Sequence, residues 1–146
     1  MKIIIYTDGG ARDNPGPAAI GAVITQEGQA LKKYSHFIGR ATNNQAEYEA
    51  VVFALKKVKL LFGKKKAKTM TLEICTDSEL IVKQLNHQYK IKEEELQPLF
   101  LKIWNLILDF GQVNFKHIPR QQNKEADRLV NQALDEQEQT SSLPGL

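Results

Sequence analysis

The feature that most restricts the fold is an apolar, β-branched segment that ends in Thr-Asp and occurs twice. It reads MKIIIYTD at the N-terminus and MTLEICTD from Met70 onward. Segments of this composition, bounded by turn-forming residues, predict strands. If the two strands are parallel neighbours, Asp8 and Asp77 emerge at the same edge of the sheet, where α/β proteins place their sites. The sequence therefore favours a sheet with carboxylates at one edge.

The other segments predict a mixed α/β order. IGAVIT and LKKYSHFIG follow the first strand and predict an antiparallel meander. Over residues 43–62 the apolar positions recur at helical spacing, with a capping box at Thr42 and Gln45 and a stop at Gly63. A strand, two helices, a last strand in VNFKHIP and a last helix capped by Asn123 follow. The order β-β-β-α-β-α-α-β-α predicts one mixed sheet packed by helices.

Length, charge and cysteine content narrow the class of protein. The 146 residues fit one domain, and we expect a folded domain over 1–136 and a flexible tail over 137–146. A net charge of +3 argues against a strongly basic coat but allows a local basic face. The single cysteine, Cys75, excludes an internal disulfide and favours a reducing compartment. Without a membrane-length apolar stretch or a leader-like N-terminus, we expect a soluble, cytoplasmic monomer.

Two more acids border the apolar faces of predicted helices. Glu47 follows Ala46 near the start of the long helix, and Asp127 follows Ala126 in the last helix. Taken singly, such acids have ordinary explanations, since aspartates at strand ends form turns and acids near helix N-termini interact favourably with the dipole. Four acids together are harder to dismiss, because converging carboxylates repel one another unless cations lie between them.

Four blocks of sequence resemble the type 1 ribonuclease H family. They are YTDGGARDNPG, TNNQAEY, TDSELIVKQL and PRQQNKEADRL, and they occur in the family's order and spacing from Ile3 to about Ala133. The resemblance implies a five-stranded mixed sheet, three antiparallel strands and then two parallel ones, with helices on both faces. It also implies an endonuclease that hydrolyses the RNA strand of RNA/DNA hybrids and leaves 3′-hydroxyl and 5′-phosphate ends.

The resemblance assigns the metal ligands to Asp8, Glu47, Asp77 and Asp127. Two divalent ions would activate water, neutralise the phosphate and assist the departing oxygen. Carboxylates suit Mg²⁺, with Mn²⁺ as a substitute, whereas the Cys and His ligands that zinc favours are lacking. By resemblance, Asp8 bridges both ions and Asp127 helps to hold the ion that carries the attacking water. Glu47 and Asp77 hold the other ion.

The resemblance also places six residues in a groove for the hybrid. Selection of RNA depends on the 2′-hydroxyl, the sugar group that separates RNA from DNA. In the family, the backbone of the first glycines and the asparagine near the catalytic glutamate contact RNA hydroxyls, and two positions hold a phosphate of the DNA strand. The blocks DNPG and TNNQ are good turn and cap sequences in any case. The six residues are Gly9, Gly10, Asn14, Thr42, Asn44 and Ser78.

A fifth catalytic position has two candidates. Well-studied bacterial members carry a histidine ahead of the last aspartate. An ungapped count places His117 there, whereas alignment of the strand ends places Arg120 there. We favour Arg120, because a loop residue after Pro119 can reach a phosphate, whereas a histidine within a strand is usually packed or hydrogen-bonded. Arginine stays protonated, so its role would be electrostatic.

The chain matches a compact form of the family, without a basic helical handle or an added hybrid-binding domain. Affinity for the hybrid is then expected to depend steeply on salt. It would rest on four basic residues in and after the short third-block helix: Lys83, His87, Lys90 and Lys92. We interpret GKKKAK, residues 63–68, as a solvated loop away from Glu47. Trp104, on the apolar face of its predicted helix, is expected in the core.

Two functions of other classes fit the sequence less well. An aspartate-based phosphatase normally has a second aspartate two residues after the first, where this chain has Gly10. A non-enzymatic hybrid-binding module would be expected to have lost an acid, yet all four are present. Related nucleases and integrases of the same fold are the nearest alternative, and TNNQAEY argues against them.

Overall fold

A five-stranded sheet in the order β3-β2-β1-β4-β5 forms the centre of the molecule. The computed structural model describes residues 1–142. β1 pairs antiparallel with β2 and parallel with β4, and the outer pairs are β2 with β3, antiparallel, and β4 with β5, parallel. This confirms the predicted sheet of three antiparallel and two parallel strands. The strands are β1 (Lys2–Ala11), β2 (Gly16–Gln26), β3 (Gln29–Ala41), β4 (Thr71–Thr76) and β5 (Gln112–His117).

The long helix follows its sequence signals. α1 (Asn43–Phe62) begins after a capping box, in which Thr42 Oγ1 accepts from Gln45 N at 3.1 Å and Gln45 Oε1 accepts from Thr42 N at 2.8 Å. It ends at Gly63, whose φ of 87° few other residues tolerate. Both predicted boundaries of this helix are therefore confirmed.

Helices cover both faces of the sheet. α1 packs with Ile3, Ile5, Leu72 and Ile74 of the sheet and with Ile103 in one large core. α5 covers the opposite face, where Val130, Ala133 and Leu134 pack with Ala19 and Phe37. These helices are α2 (Lys64–Ala67), α3 (Glu79–Leu85), α4 (Gln97–Ile107) and α5 (Lys124–Ser142), with 3₁₀ turns at Glu94–Leu96 and Arg120–Gln122. In the part of the chain that is described, no helix combines the length and apolarity needed to cross a membrane.

Three predictions require correction. Trp104 is 49% exposed on the outer side of α4 and does not belong to the core. The GKKKAK segment is not a loop throughout, because Lys64–Ala67 forms a short helix that buries Ala67. α5 continues to Ser142, so the boundary expected after residue 136 falls inside a helix. Residues 143–146 of the expected tail lie outside the described residues.

Candidate active site

The ends of β1 and β4 bring two aspartates together. These strands are parallel neighbours, and their register pairs Tyr6 with Cys75. Asp8 and Asp77 each follow two residues later, so they reach the same edge of the sheet. The two Thr-Asp strand ends therefore meet, as the sequence predicts.

A glycine lets α1 bring Glu47 to this edge. A β-carbon at Gly9 would collide with the carbonyl group of Ala46, so a side chain here would push α1 away from β1. Glu47 is the next residue of α1 and lies close enough to raise the pKa of Asp8. The glycine after Asp8 thus has a packing role that also builds the site.

A second glycine and an asparagine bring α5 to the same edge. A β-carbon at Gly21 of β2 would collide with the carbonyl oxygen of Ala126, which precedes Asp127. The side chain of Asn123, which is 2% exposed, donates from Nδ2 to the Thr7 carbonyl at 2.9 Å and to Asp77 Oδ1 at 3.3 Å. The start of α5 is thereby attached to the ends of both β1 and β4.

The four acids share one open cavity of about 360 Å³. Gly9, Gly10 and Arg120, which the resemblance assigned to the site, also line it. Its walls include Arg12, Asn43 and Asn131, which sequence reasoning did not assign to the site. The acids that converge here are Asp8, Glu47, Asp77 and Asp127.

Burial and mutual repulsion disfavour four negative charges in this cavity. Burial, and then repulsion from Asp77, Glu47 and Asp127, raises the pKa of Asp8 to about 8. Burial also raises the pKa of Glu47 to about 7, with repulsion from Asp77 adding to it and a hydrogen bond from Ser78 opposing it. Without cations, the cluster therefore retains protons that ordinary carboxyls lose near pH 4.

The donor set fits hydrated divalent cations. Among the described residues, the buried oxygen Glu47 Oε2 has no hydrogen-bond partner. This oxygen is therefore available to bind a metal ion at the cluster. Within residues 1–142, no three acidic, histidine or cysteine side chains form a preassembled metal cage. Mg²⁺ does not require such a cage, since it usually keeps several waters and takes only one or two carboxylates from the protein.

The two candidates for the fifth catalytic position, Arg120 and His117, differ in where they lie relative to the acidic cavity. Arg120 follows Pro119 in a 3₁₀ turn, with Nε 3.5 Å from Asp77 Oδ2 and a side chain that is 89% exposed. His117 is the last residue of β5 and is exposed, so of the two expected situations, packed or hydrogen-bonded, the first does not apply. The strand ends at His117, two residues before the end of the segment VNFKHIP. Arg120 is the candidate that lines the acidic cavity.

The predicted groove residues divide into two groups. Gly9 and Gly10 line the cavity, and Ser78 caps α3 by accepting from Ile81 N at 3.4 Å and lies close enough to Glu47 to lower its pKa. The other three, Asn14, Thr42 and Asn44, do not line this cavity. In the described chain, Asn43 lines it instead. Asn43 is the other asparagine of TNNQ.

Asn43 and Asn14 link the β1–β2 connection to α1. Asn43 Oδ1 accepts from Ala11 N at 2.8 Å, and Asn43 N donates to Asn14 Oδ1 at 3.0 Å. Asn14 thus faces the start of α1. Its predicted role in substrate binding remains a prediction.

Comparison with known proteins decides the family. Residues 6–133 match the family model described as reverse transcriptase-like. LC11 ribonuclease H1, solved in complex with an RNA/DNA hybrid, is 48% identical, has a TM-score of 0.86, and is matched over 92% of this chain and 97% of its own. The chain belongs to the type 1 ribonuclease H family.

Two other ribonucleases H have similar structures. The N-terminal domain of Rv2228c from Mycobacterium tuberculosis is 36% identical, with a TM-score of 0.80 over 91% of this chain and 98% of that one. Ribonuclease H1 from Halobacterium salinarum is 36% identical, with a TM-score of 0.85 over 93% and 99%. The chain spans 38% of the full-length bifunctional protein Rv2228c and 65% of the curated Halobacterium ribonuclease HI.

Three residues at or beside the cavity were not assigned to the site from the sequence. Asn43 is one of two asparagines before Glu47, and it lines the cavity although only Asn44 was assigned to the groove from the sequence. Asn123 was predicted as a helix cap, but within the described residues its side-chain oxygen has no hydrogen-bond partner, and its amide nitrogen donates to Thr7 and Asp77 instead. Arg12 gave no local signal, because its partners lie more than a hundred residues later in the chain.

Proposed function

We propose that this protein hydrolyses the RNA strand of RNA/DNA hybrids with two divalent cations and leaves 3′-hydroxyl and 5′-phosphate ends. The observation that carries the proposal is the convergence of Asp8, Glu47, Asp77 and Asp127 on one solvent-open cavity. Membership of the ribonuclease H family, and the hybrid bound by LC11 ribonuclease H1, support the choice of substrate.

The four carboxylates would hold two Mg²⁺ ions, or Mn²⁺ in their place. Bound there, such ions supply an activated water, neutralise the scissile phosphate and stabilise the leaving oxygen. Asp8 would help to hold the ions together with the other three acids, each of which lies close enough to raise its pKa. Asn123 would keep Asp77 oriented through its 3.3 Å hydrogen bond.

Selection of RNA would take place along the glycine side of the cavity. Gly10 lines the cavity, and a β-carbon there would make only ordinary contacts, the nearest being Val130 Cγ1 at 3.7 Å. Its backbone is therefore accessible to a ribose, and the 2′-hydroxyl is the group that a DNA strand cannot offer. Asn14, Thr42 and Asn44 would extend this contact outside the cavity.

Arg120 would supply positive charge beside the reacting phosphate. Its exposed guanidinium is attached to the cluster only through a 3.5 Å contact with Asp77, so it is free to turn toward an incoming anion. A guanidinium is a hydrogen-bond donor without an acceptor, so Arg120 would act electrostatically rather than as a base.

Affinity would be supplemented by the basic residues around the end of α3. Lys83 is partly committed already, because it pairs with Glu79 at 2.8 Å and its ammonium lies over the Tyr89 ring. The expected contribution to binding is therefore modest and sensitive to salt. We further propose that the protein acts as a cytoplasmic monomer, which the buried, unpaired Cys75 supports for a reducing compartment.

A cleavage assay tests the proposal. Labelled RNA/DNA, RNA/RNA and DNA/DNA duplexes of one sequence are incubated with and without Mg²⁺, and the product ends are identified. We expect cleavage of the RNA strand of the hybrid only, dependent on Mg²⁺ and abolished in Asp8→Asn. Equal cleavage of the DNA duplex, or full activity of Asp8→Asn, would refute it.

A further inference from the structure

Arg12 lies at one end of the β1–β2 connection, which carries Asn14. We call residues 12–15 the Asn14 loop. Arg12 N donates to the Pro17 carbonyl at 2.9 Å, which closes the loop at its base. Asp13 adopts a left-handed φ of 66°, a conformation that costs free energy unless contacts around it hold it in place. The loop is therefore a tight turn that depends on outside support.

One support comes from α1 through Asn43, as described above. The other comes from α5 through the Arg12 guanidinium. Arg12 contacts Asp135 Oδ1 at 2.7 Å and Glu138 Oε1 at 2.7 Å, and it donates to Asn131 Oδ1 at 3.3 Å. One side chain thus joins the loop to three residues on successive turns of a helix that is packed against the sheet.

This network also leads to a member of the acidic cluster. Asn131 accepts from Arg12 and in turn donates from Nδ2 to the carbonyl oxygen of Asp127 at 3.1 Å. The Arg12 contacts therefore link the loop that carries Asn14 to the helical turn that carries Asp127. Both belong to the proposed active site.

The geometry argues against a direct substrate contact by Arg12. Its guanidinium already faces two carboxylates at hydrogen-bond distance, so its positive charge is more than compensated before any phosphate arrives. Isolated surface ion pairs contribute little, but a planar arginine shared among several acceptors has a more restricted geometry. This arrangement suits fixing a loop better than binding an anion.

We propose that Arg12 is a positioning residue, which holds the Asn14 loop against α5 so that Asn14 and Asp127 keep their relative places around the substrate. The functional part of this inference rests on the proposed hybrid cleavage. The structural part, that the loop is fixed through Arg12, does not.

Removal of the partners of Arg12 separates positioning from direct contact. If Arg12 positions the loop, Asp135→Asn combined with Glu138→Gln should raise KM for the hybrid about three- to tenfold, with kcat nearly unchanged. If Arg12 contacts the substrate, the same change frees its charge and removes two negative charges, so KM should fall. Glu136→Gln, on the same helix but without an Arg12 contact, is the matched control and should leave KM unchanged.

Substitution of Arg12 itself provides the second arm. Arg12→Met should raise KM to a similar extent, and Arg12→Lys, which keeps the charge, should recover part of the loss. Hydrogen exchange of the Asn43 amide, which bonds Asn14, should accelerate in Arg12→Met and in the partner variant but not in Glu136→Gln. A lower or unchanged KM in the partner variant, or unchanged exchange at Asn43, would overturn the inference.

The exchange measurement also separates the two proposals. If the wild-type protein does not cut the hybrid, the proposed function fails, whereas accelerated exchange would still show that Arg12 fixes the loop. If the hybrid is cut but the partner variant keeps its KM and its exchange rates, the role of Arg12 alone is refuted.

Discussion

At the scale of single residues, the site depends on glycines, which lack a side chain, as well as on the acidic side chains. Gly9 and Gly10 are adjacent and look equivalent in sequence, yet their surroundings differ. A β-carbon at Gly9 would collide with Ala46, whereas one at Gly10 would be in ordinary contact with Val130 and Asn43. The two glycines therefore differ in packing, since Gly9 lets α1 approach β1, whereas Gly10 lines the cavity without a close contact.

Alanine substitutions should separate these roles. We expect Gly9→Ala to lower the free energy of unfolding by about 1–3 kcal/mol, because α1 must move. Gly10→Ala should keep its melting temperature but raise KM for the hybrid, because its methyl group enters the cavity. Thermal unfolding and steady-state kinetics measure both effects. Loss of stability in Gly10→Ala equal to that in Gly9→Ala would contradict the assignment.

Arg120 and His117 allow a second test at the residue scale. Arg120→Ala should lower kcat by roughly ten- to a thousandfold, the range for loss of one charged group near a transition state. His117→Ala should retain both activity and stability, because its side chain is exposed at the end of β5. A large loss of kcat in His117→Ala, with Arg120→Ala close to wild type, would reverse the assignment.

At the scale of elements, sequence predicted most where local signals were strong. α1 could be placed to the residue because its cap, apolar spacing and terminal glycine agree. Helical spacing alone does not show how much of the apolar face of α4 is covered by the elements that pack against it. The exposure of Trp104 could therefore not be predicted. The four acids could be identified from their positions at strand ends and helix starts. The choice between Asn43 and Asn44, in contrast, depends on how α1 is rotated against β1.

The cap of α1 gives a prediction at this scale. Thr42→Ala should lower the free energy of unfolding by ~1 kcal/mol, because Gln45 N loses its acceptor at 3.1 Å. Thr42→Ser keeps a hydroxyl and should recover most of the loss. Denaturant unfolding of both variants provides the measurement. Equal destabilisation by serine and alanine would show that the methyl group, rather than the cap, is important.

At the scale of the whole molecule, the acidic cluster opposes folding. Asp8 and Glu47 have pKa values raised to about 8 and about 7, so the folded protein binds more protons than the unfolded chain above about pH 4. Stability of the metal-free protein must then fall as pH rises toward about 8. Cations bound at the cluster would offset this loss.

Unfolding at different pH values tests this balance. In chelator, the melting temperature should be lower at about pH 8 than at about pH 5, and Asp8→Asn should flatten this dependence and be more stable than wild type at the higher pH. Added Mg²⁺ should stabilise the wild type most at the higher pH. A metal-free protein whose stability rises over this interval would contradict the raised pKa values.

The hydrogen bond from Asn123 to the carbonyl oxygen of Thr7 joins residues 116 positions apart. It attaches the start of α5, which contributes one of the four acids, to the end of β1. During synthesis, a nascent chain therefore carries Asp8, Glu47 and Asp77 long before Asp127 emerges from the ribosome. Chains that stop before α5 lack Asp127 and should not cut the hybrid in the proposed assay.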